Sequence, residues 1–306
     1  MTALKKQGKD RYTADLSRQI LEAEIQPDEG VFRSILNMFR TNRAALLGLV
    51  LILLIVALAI AAPLVARYDP EALDLVNMRK APSAQHWFGT DDLGRDVFAR
   101  IVYGSRTSLM IGFVPSAISL VLGTLLGLMA GFIGRKVDAV IMRVADVVLA
   151  FPSLLLAMVV MYTLGASLLN MFIALSIINW AGTARVVRAQ TLSLKEKEFV
   201  EAARSLGVSK PMIVLRHILP NCVPNLIVLF TLDIPGAIMW ESSMSFLGVG
   251  DPNAASWGLM VSQGKQYAYM CPWLILAPGL AILITVMAFN FLGDGLRDAI
   301  DPYLKT

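Results

Sequence analysis

From Ala44 to Ala62 the chain runs 19 residues without a charged side chain. At about 1.5 Å per residue, a helix of that length covers nearly all of the ~30 Å hydrocarbon core of a bilayer. Five further apolar stretches follow, near residues 107–133, 137–162, 168–190, 223–245 and 272–292. A water-soluble protein of 306 residues would expose too much of this apolar surface. The composition agrees: 56% hydrophobic, 16% charged, mean hydropathy +0.64. The expected fold is all-α, a polytopic membrane protein with six transmembrane helices.

Six spans put both termini on one side. Residues 1–43 form the N-terminal tail, of which 1–30 are polar and mixed in charge. Within 31–43, Val31, Ile35, Met38 and Phe39 oppose Arg33, Arg40 and Arg43, a pattern suited to an amphipathic helix on the membrane surface or to one packed on neighbouring spans. The first span is 44–62, closed by Pro63. A polar loop, 63–106, carries Asp69-Pro70, Pro82 and Gly89 as turn markers. A five-helix core over 107–292 contains a polar segment at 195–221, and 293–306 form a short tail. Of the 27 lysines and arginines, 20 fall on the side of the termini and of residues 195–221, and seven on the other. This excess places the termini and that segment in the cytoplasm. The first apolar run begins too late and is too long for a secretory signal. The net charge of +4 comes from residues flanking the spans, not from one basic face, so nucleic acid is not an expected partner.

The segment Lys195–Asn221 is the longest in the second half that does not suit lipid. Phe199, Ala202, Ala203 and Leu206 recur at helical spacing on one face. Gly207 fits a helix C-cap in the left-handed conformation. Ser209 suits the N-cap of a second helix, with Pro211 in its first turn. Met212, Leu215 and Leu219 form the apolar side of that helix, and Pro220 is expected to stop it. The result is a basic helix–turn–helix between two spans.

Glu201-Ala202-Ala203, Gly207 and Ile218-Leu219-Pro220 resemble the EAA loop of bacterial ABC importer permeases. Gly89-Thr90-Asp91-Asp92-Leu93-Gly94-Arg95-Asp96, Ser245-Phe246-Leu247-Gly248, Ser256-Trp257-Gly258 and Gly293-Asp294-Gly295-Leu296-Arg297-Asp298 narrow the resemblance to the C-type permease subunit of oligopeptide and dipeptide importers, from about residue 31 to the C-terminus. The resemblance implies a type I ABC importer permease fold in the bacterial plasma membrane. It implies that Glu201, Ala202, Ala203, Gly207, Ile218, Leu219 and Pro220 form a coupling helix docked on an ATPase subunit. It also implies a second homologous permease, one or two ATPases and an extracytoplasmic binding protein as partners, and a di- or oligopeptide as cargo. A nickel complex or another small solute is the alternative cargo; an ion-coupled transporter or channel is a competing function.

No GxxxxGK[ST] motif occurs in the chain, so ATP and its magnesium are expected on partner subunits and no cofactor on this one. The chain carries no catalytic signature and is expected not to be an enzyme. Cys222 and Cys271 fall on opposite sides of the membrane, as do His86 and His217, which removes a disulfide and a shared metal site. Asp91, Asp92, Arg95 and Asp96 form a hydrogen-bonded loop turned by Gly89 and Gly94, or a cation site. Gly123, Gly127 and Gly131 repeat every four residues, a close-packing face for this bundle or for a partner subunit. Asp233 lies near the middle of the fifth span beside Pro235-Gly236. A carboxylate there faces either a polar pathway or a hydrogen-bond partner on a neighbouring span. Met239, Glu241, Ser242 and Ser243 lie further out on the same helix, as candidate lining of the pathway and its outer mouth.

Overall fold

The computed structural model describes residues 37–300. Nearly all of the chain in that range is helical, and the one β-bridge pairs Thr90 with Asp96. The helices are α1 (Arg43–Ile60), α2 (Ala62–Val65), α3 (Val97–Ile133), α4 (Arg135–Ala150), α5 (Ser153–Leu164), α6 (Leu168–Leu194), α7 (Glu198–Ser205), α8 (Lys210–Ile213), α9 (Leu219–Phe246), α10 (Trp257–Gly264) and α11 (Trp273–Ile300). By length and apolarity, α1, α3, the continuous Lys210–Phe246 and α11 can cross a membrane, and α4 with α5 make a fifth crossing if taken together. α6 is 27 residues long, about 40 Å, but Asn170, Asn179, Arg185 and Arg188 make it less apolar. Counting it gives the six passages expected, with the third one broken.

Several expected boundaries shift. The 63–106 loop ends at Asp96, because α3 starts at Val97 and runs 37 residues. Arg100 and Arg106 are inside that helix. Arg100 is buried against Asp91, and Arg106 donates from Nε to the carbonyl of Ala59 at the end of α1. Pro63 does not close α1; it sits in the first turn of α2, where its missing N–H is harmless. The span expected over 137–162 is two helices meeting at 92°. Pro152 follows the extended Phe151 and takes away the N–H that a continuous helix would use. α4 is tied to α6 by ion pairs, Asp146–Arg185 at 2.7 Å and Asp138–Arg188. The 293–306 tail is helical as far as Ile300, because Gly293 and Gly295 let α11 press on Leu232 and on Ala45.

Gly123, Gly127 and Gly131 settle within the bundle. A Cβ at Gly127 would lie 2.6 Å from the Ala184 carbonyl oxygen, and those at Gly123 and Gly131 2.6 Å from Cβ of Thr183 and Thr191. The stripe is therefore where α3 lies directly against the backbone of α6. Residues 31–36 of the amphipathic stretch lie outside the described residues. Met38 is buried with Ala45, Val228 and Leu296, so the described part packs on neighbouring spans.

Candidate functional site

The coupling segment leaves α6 at Lys195, whose Nζ donates to the Gly131 carbonyl. α7 carries Glu198 and Glu201 in its first turn and Arg204 in its last, the charge order that suits the helix dipole. It ends as the sequence predicts. Gly207 has φ +81°, Val208 N–H donates to the Ala203 carbonyl and Gly207 N–H to that of Arg204. These two bonds satisfy otherwise orphaned carbonyls in a Schellman cap. No atom lies within 4 Å of a Cβ added at Gly207, so the glycine is needed for its φ and not for space.

The face of α7 read from the sequence splits: Ala203 turns inward with Val200, and its other members stay uncovered. Val200 and Ala203 are buried with Leu128, Val187, Ile213, Ile218, Cys222 and Leu226. Phe199, Ala202 and Leu206 point away, and Leu206 is 84% exposed. Met212 and Leu215 are exposed as well. Of the coupling residues named from the sequence, Glu201, Ala202, Gly207 and Pro220 are exposed, Leu219 is half-buried, and Ala203 and Ile218 belong to the chain's own core. Ser209 occupies the N-cap of α8 without making a side-chain cap bond, while Pro211 lies in the first turn as expected. Pro220 does not end the helix. A π-turn, Val214–Ile218, precedes it; that wider ladder relaxes the clash a proline makes with the preceding turn. The helix then continues as α9.

Along α9, Asp233 is half-buried, and among the described residues its carboxylate has no hydrogen-bond or ion-pair partner. A Cβ added at Gly236, one turn further along, meets nothing within 4 Å. Towards the C-terminal end of α9, Met239, Ser242, Ser243, Phe246 and Leu247 line, with Val261, an open cavity of about 360 Å³. Glu241 is not on that surface: it is 1% exposed. Its Oε1 accepts from Ser245 Oγ at 2.7 Å and Ser256 Oγ at 2.6 Å. Ser256 also caps α10 by accepting from Leu259 N–H. Gly258 lies where a Cβ would be 2.6 Å from Glu241 Oε2. Trp257 is held to α3 through Ser108 Oγ and the Ile101 carbonyl. Glu241 thus ties α10 to the C-terminal part of α9, a role its sequence position does not reveal.

The 89–96 loop is a hydrogen-bonded knot. Asp91 Oδ2 accepts from Arg95 Nε and Arg100 Nη1, each at 2.7 Å, and Oδ1 from the N–H groups of Leu93 and Arg95. Arg100 Nη2 continues to Gln263 Oε1 at 3.0 Å, which reaches α10. Asp96 caps α3 through Ala99 N–H and accepts from His86 Nδ1. Gly89 and Gly94 take φ +74° and +77°. A Cβ at Gly94 would lie 1.8 Å from the Asp74 carbonyl oxygen.

Comparison with known proteins decides what these parts belong to. Residues 123–306 match the family described as binding-protein-dependent transport system inner membrane component. The chain belongs to that family. Residues 30–82 match the N-terminal transmembrane domain of oligopeptide transport permease C. The permease is 43% identical to a dipeptide transport system permease protein of Alkalihalophilus pseudofirmus, over 90% of this chain and 91% of that one. It is 42% identical to an oligopeptide transport system permease protein of Bacillus subtilis, over 87% and 88%. It is 44% identical to a glutathione transport system permease protein of Escherichia coli, over 87% and 89%. In fold, it superposes on an inward-facing methionine ABC transporter with a TM-score of 0.54 at 20% identity, covering 66% of this chain and 97% of that chain. The permease is a transmembrane subunit of an ABC importer with the type I architecture expected from its sequence.

Proposed function

We propose that this chain is one of two homologous permeases in a bacterial plasma-membrane importer of di- or oligopeptides. In this proposal both termini lie in the cytoplasm, ATP and magnesium are bound by one or two partner ATPases, and an extracytoplasmic binding protein delivers the peptide. The names of the relatives support peptide as the cargo class. One observation carries the coupling role. α7 is buried on Val200 and Ala203 and leaves Phe199, Leu206, Met212 and Leu215 uncovered. An apolar face on a polar segment is a contact surface for another protein. Glu201 and Ala202 flank it, Gly207 sets its turn, and Ile218, Leu219 and Pro220 join it to α9. Motion of the ATPases would enter at Leu206 and leave along α9 as a rigid-body rotation, turning the cavity between outward- and inward-facing states.

The test compares Leu206→Glu with Ala203→Glu. Leu206→Glu should insert normally and fail to co-purify with the ATPases. Ala203→Glu should lower the amount of folded chain, because its carboxylate enters the core. Normal co-purification and uptake with Leu206→Glu, at normal expression, would remove this surface from the coupling path.

A further inference from the structure

We propose that the Asp233 carboxylate receives the α-ammonium group of the peptide in transit; this deepens, and rests on, the assignment of peptide as cargo. Asp233 is the fifteenth residue of the 28-residue α9, about 20 Å from either end, and so at mid-depth. An unpartnered carboxylate at that depth is expensive and is satisfied by something that comes to it. Three other carboxylates on these helices show what a satisfied one looks like: Glu241 has its serines, Asp138 has Arg188 and Asp146 has Arg185, whereas Glu198, Glu201, Asp294 and Asp298, unpaired among the described residues, are exposed. Asp233 has none within the described chain. Its carboxylate is therefore left to groups from outside the described chain.

The surroundings favour cargo as the group that meets it. Gly236 leaves the helix flank open one turn further along. The cavity at Met239, Ser242, Ser243, Phe246, Leu247 and Val261 begins two turns further along on the same helix. From Asp233 to Met239 and Ser243 is about 9–15 Å along the helix, the length of three or four extended residues. A peptide held at Asp233 by its amino end would lay its side chains against that wall. Methionine, unbranched and flexible, adapts to side chains of varied shape. The α-ammonium is the one cation every unmodified peptide carries, so a carboxylate that reads it holds any sequence without reading sequence.

The experiment uses the complete importer, reconstituted in liposomes with its binding protein and ATPases. Uptake of trialanine and of N-acetyl-trialanine is measured, each at a concentration that saturates the binding protein in a separate titration. With Asp233→Asn, uptake of trialanine per ATP hydrolysed should fall by about tenfold, the worth of one charge-assisted hydrogen bond. Uptake of the acetylated peptide should be unchanged, and Asp233→Glu should restore trialanine. Equal effects on both peptides, or on neither, would overturn the proposal. So would loss of the second permease from the Asp233→Asn complex, since Asp233 would then be paired to that subunit. Failure of the unaltered importer to take up either peptide would instead overturn the peptide assignment itself.

Discussion

Replacing Gly127 with alanine tests whether α3 and α6 are joined at their backbones. The new Cβ would stand 2.6 Å from the Ala184 carbonyl oxygen, 2.8 Å from Val187 Cβ and 3.1 Å from Arg188 N. Relieving this requires the helices to separate by several tenths of an ångström along a well-packed face. Overpacking of this kind costs about 1–3 kcal/mol. Alanine in a helix otherwise gains about 0.5–1 kcal/mol over glycine. The two terms oppose each other, and the sign of the result shows which dominates. The geometry at Gly127 gives a net loss of about 1–2 kcal/mol, a factor of about 5–30 in the ratio of folded to unfolded protein. Gly182, on α6, is the internal control. No atom lies within 4 Å of its added Cβ, so Gly182→Ala should be neutral or stabilising by up to about 1 kcal/mol. Titration of the purified subunit with a denaturing detergent, followed by circular dichroism, measures both. A Gly127→Ala protein as stable as Gly182→Ala would mean that α3 and α6 do not meet here.

Asp91→Asn should leave the buried guanidiniums of Arg95 and Arg100 without their shared counter-ion, lowering stability by about 3–5 kcal/mol and loosening α10 through Gln263; thermal unfolding and protease sensitivity of the outer loop report it. Glu241→Ala should free the start of α10 and reduce uptake while leaving ATPase co-purification intact, which a pull-down and a transport assay separate. In a variant lacking Cys222 and Cys271, a cysteine at the exposed Gln85 should react with an impermeant thiol reagent in intact cells and one at Ser209 should not. The purified chain alone should not bind ATP, measured by equilibrium dialysis.

The helix count, the glycine stripe and the Gly207 turn were legible because each depends on local chemistry: run length, four-residue spacing and a positive φ. What was not legible depends on partners distant in sequence. α7 has two apolar stripes, Phe199–Ala202–Leu206 and Val200–Ala203, and nothing local says which one meets Ile213 and Cys222. Nothing near Arg100 in sequence shows that Asp91 folds onto it. The break at Phe151–Pro152 is hidden because the residues on both sides remain apolar. Pro220 stops a helix under local rules, and the π-turn before it removes the reason. Glu241 looks like lining because its length and charge are visible and the serines that enclose it are not.

From Lys210 to Phe246 the backbone is one helical element of 37 residues, about 55 Å long. Its N-terminal end joins the Gly207 turn, and its C-terminal end is clamped by Glu241 to α10. Such an element acts as a lever. Moved as a unit, a tilt of about 5° at one end sweeps the other through about 5 Å, roughly the width of an extended peptide backbone. The π-turn at Val214–Ile218 and the prolines at 224 and 235 interrupt its hydrogen-bond ladder, so the share of a stroke that reaches the far end is set by how far the helix bends at those points.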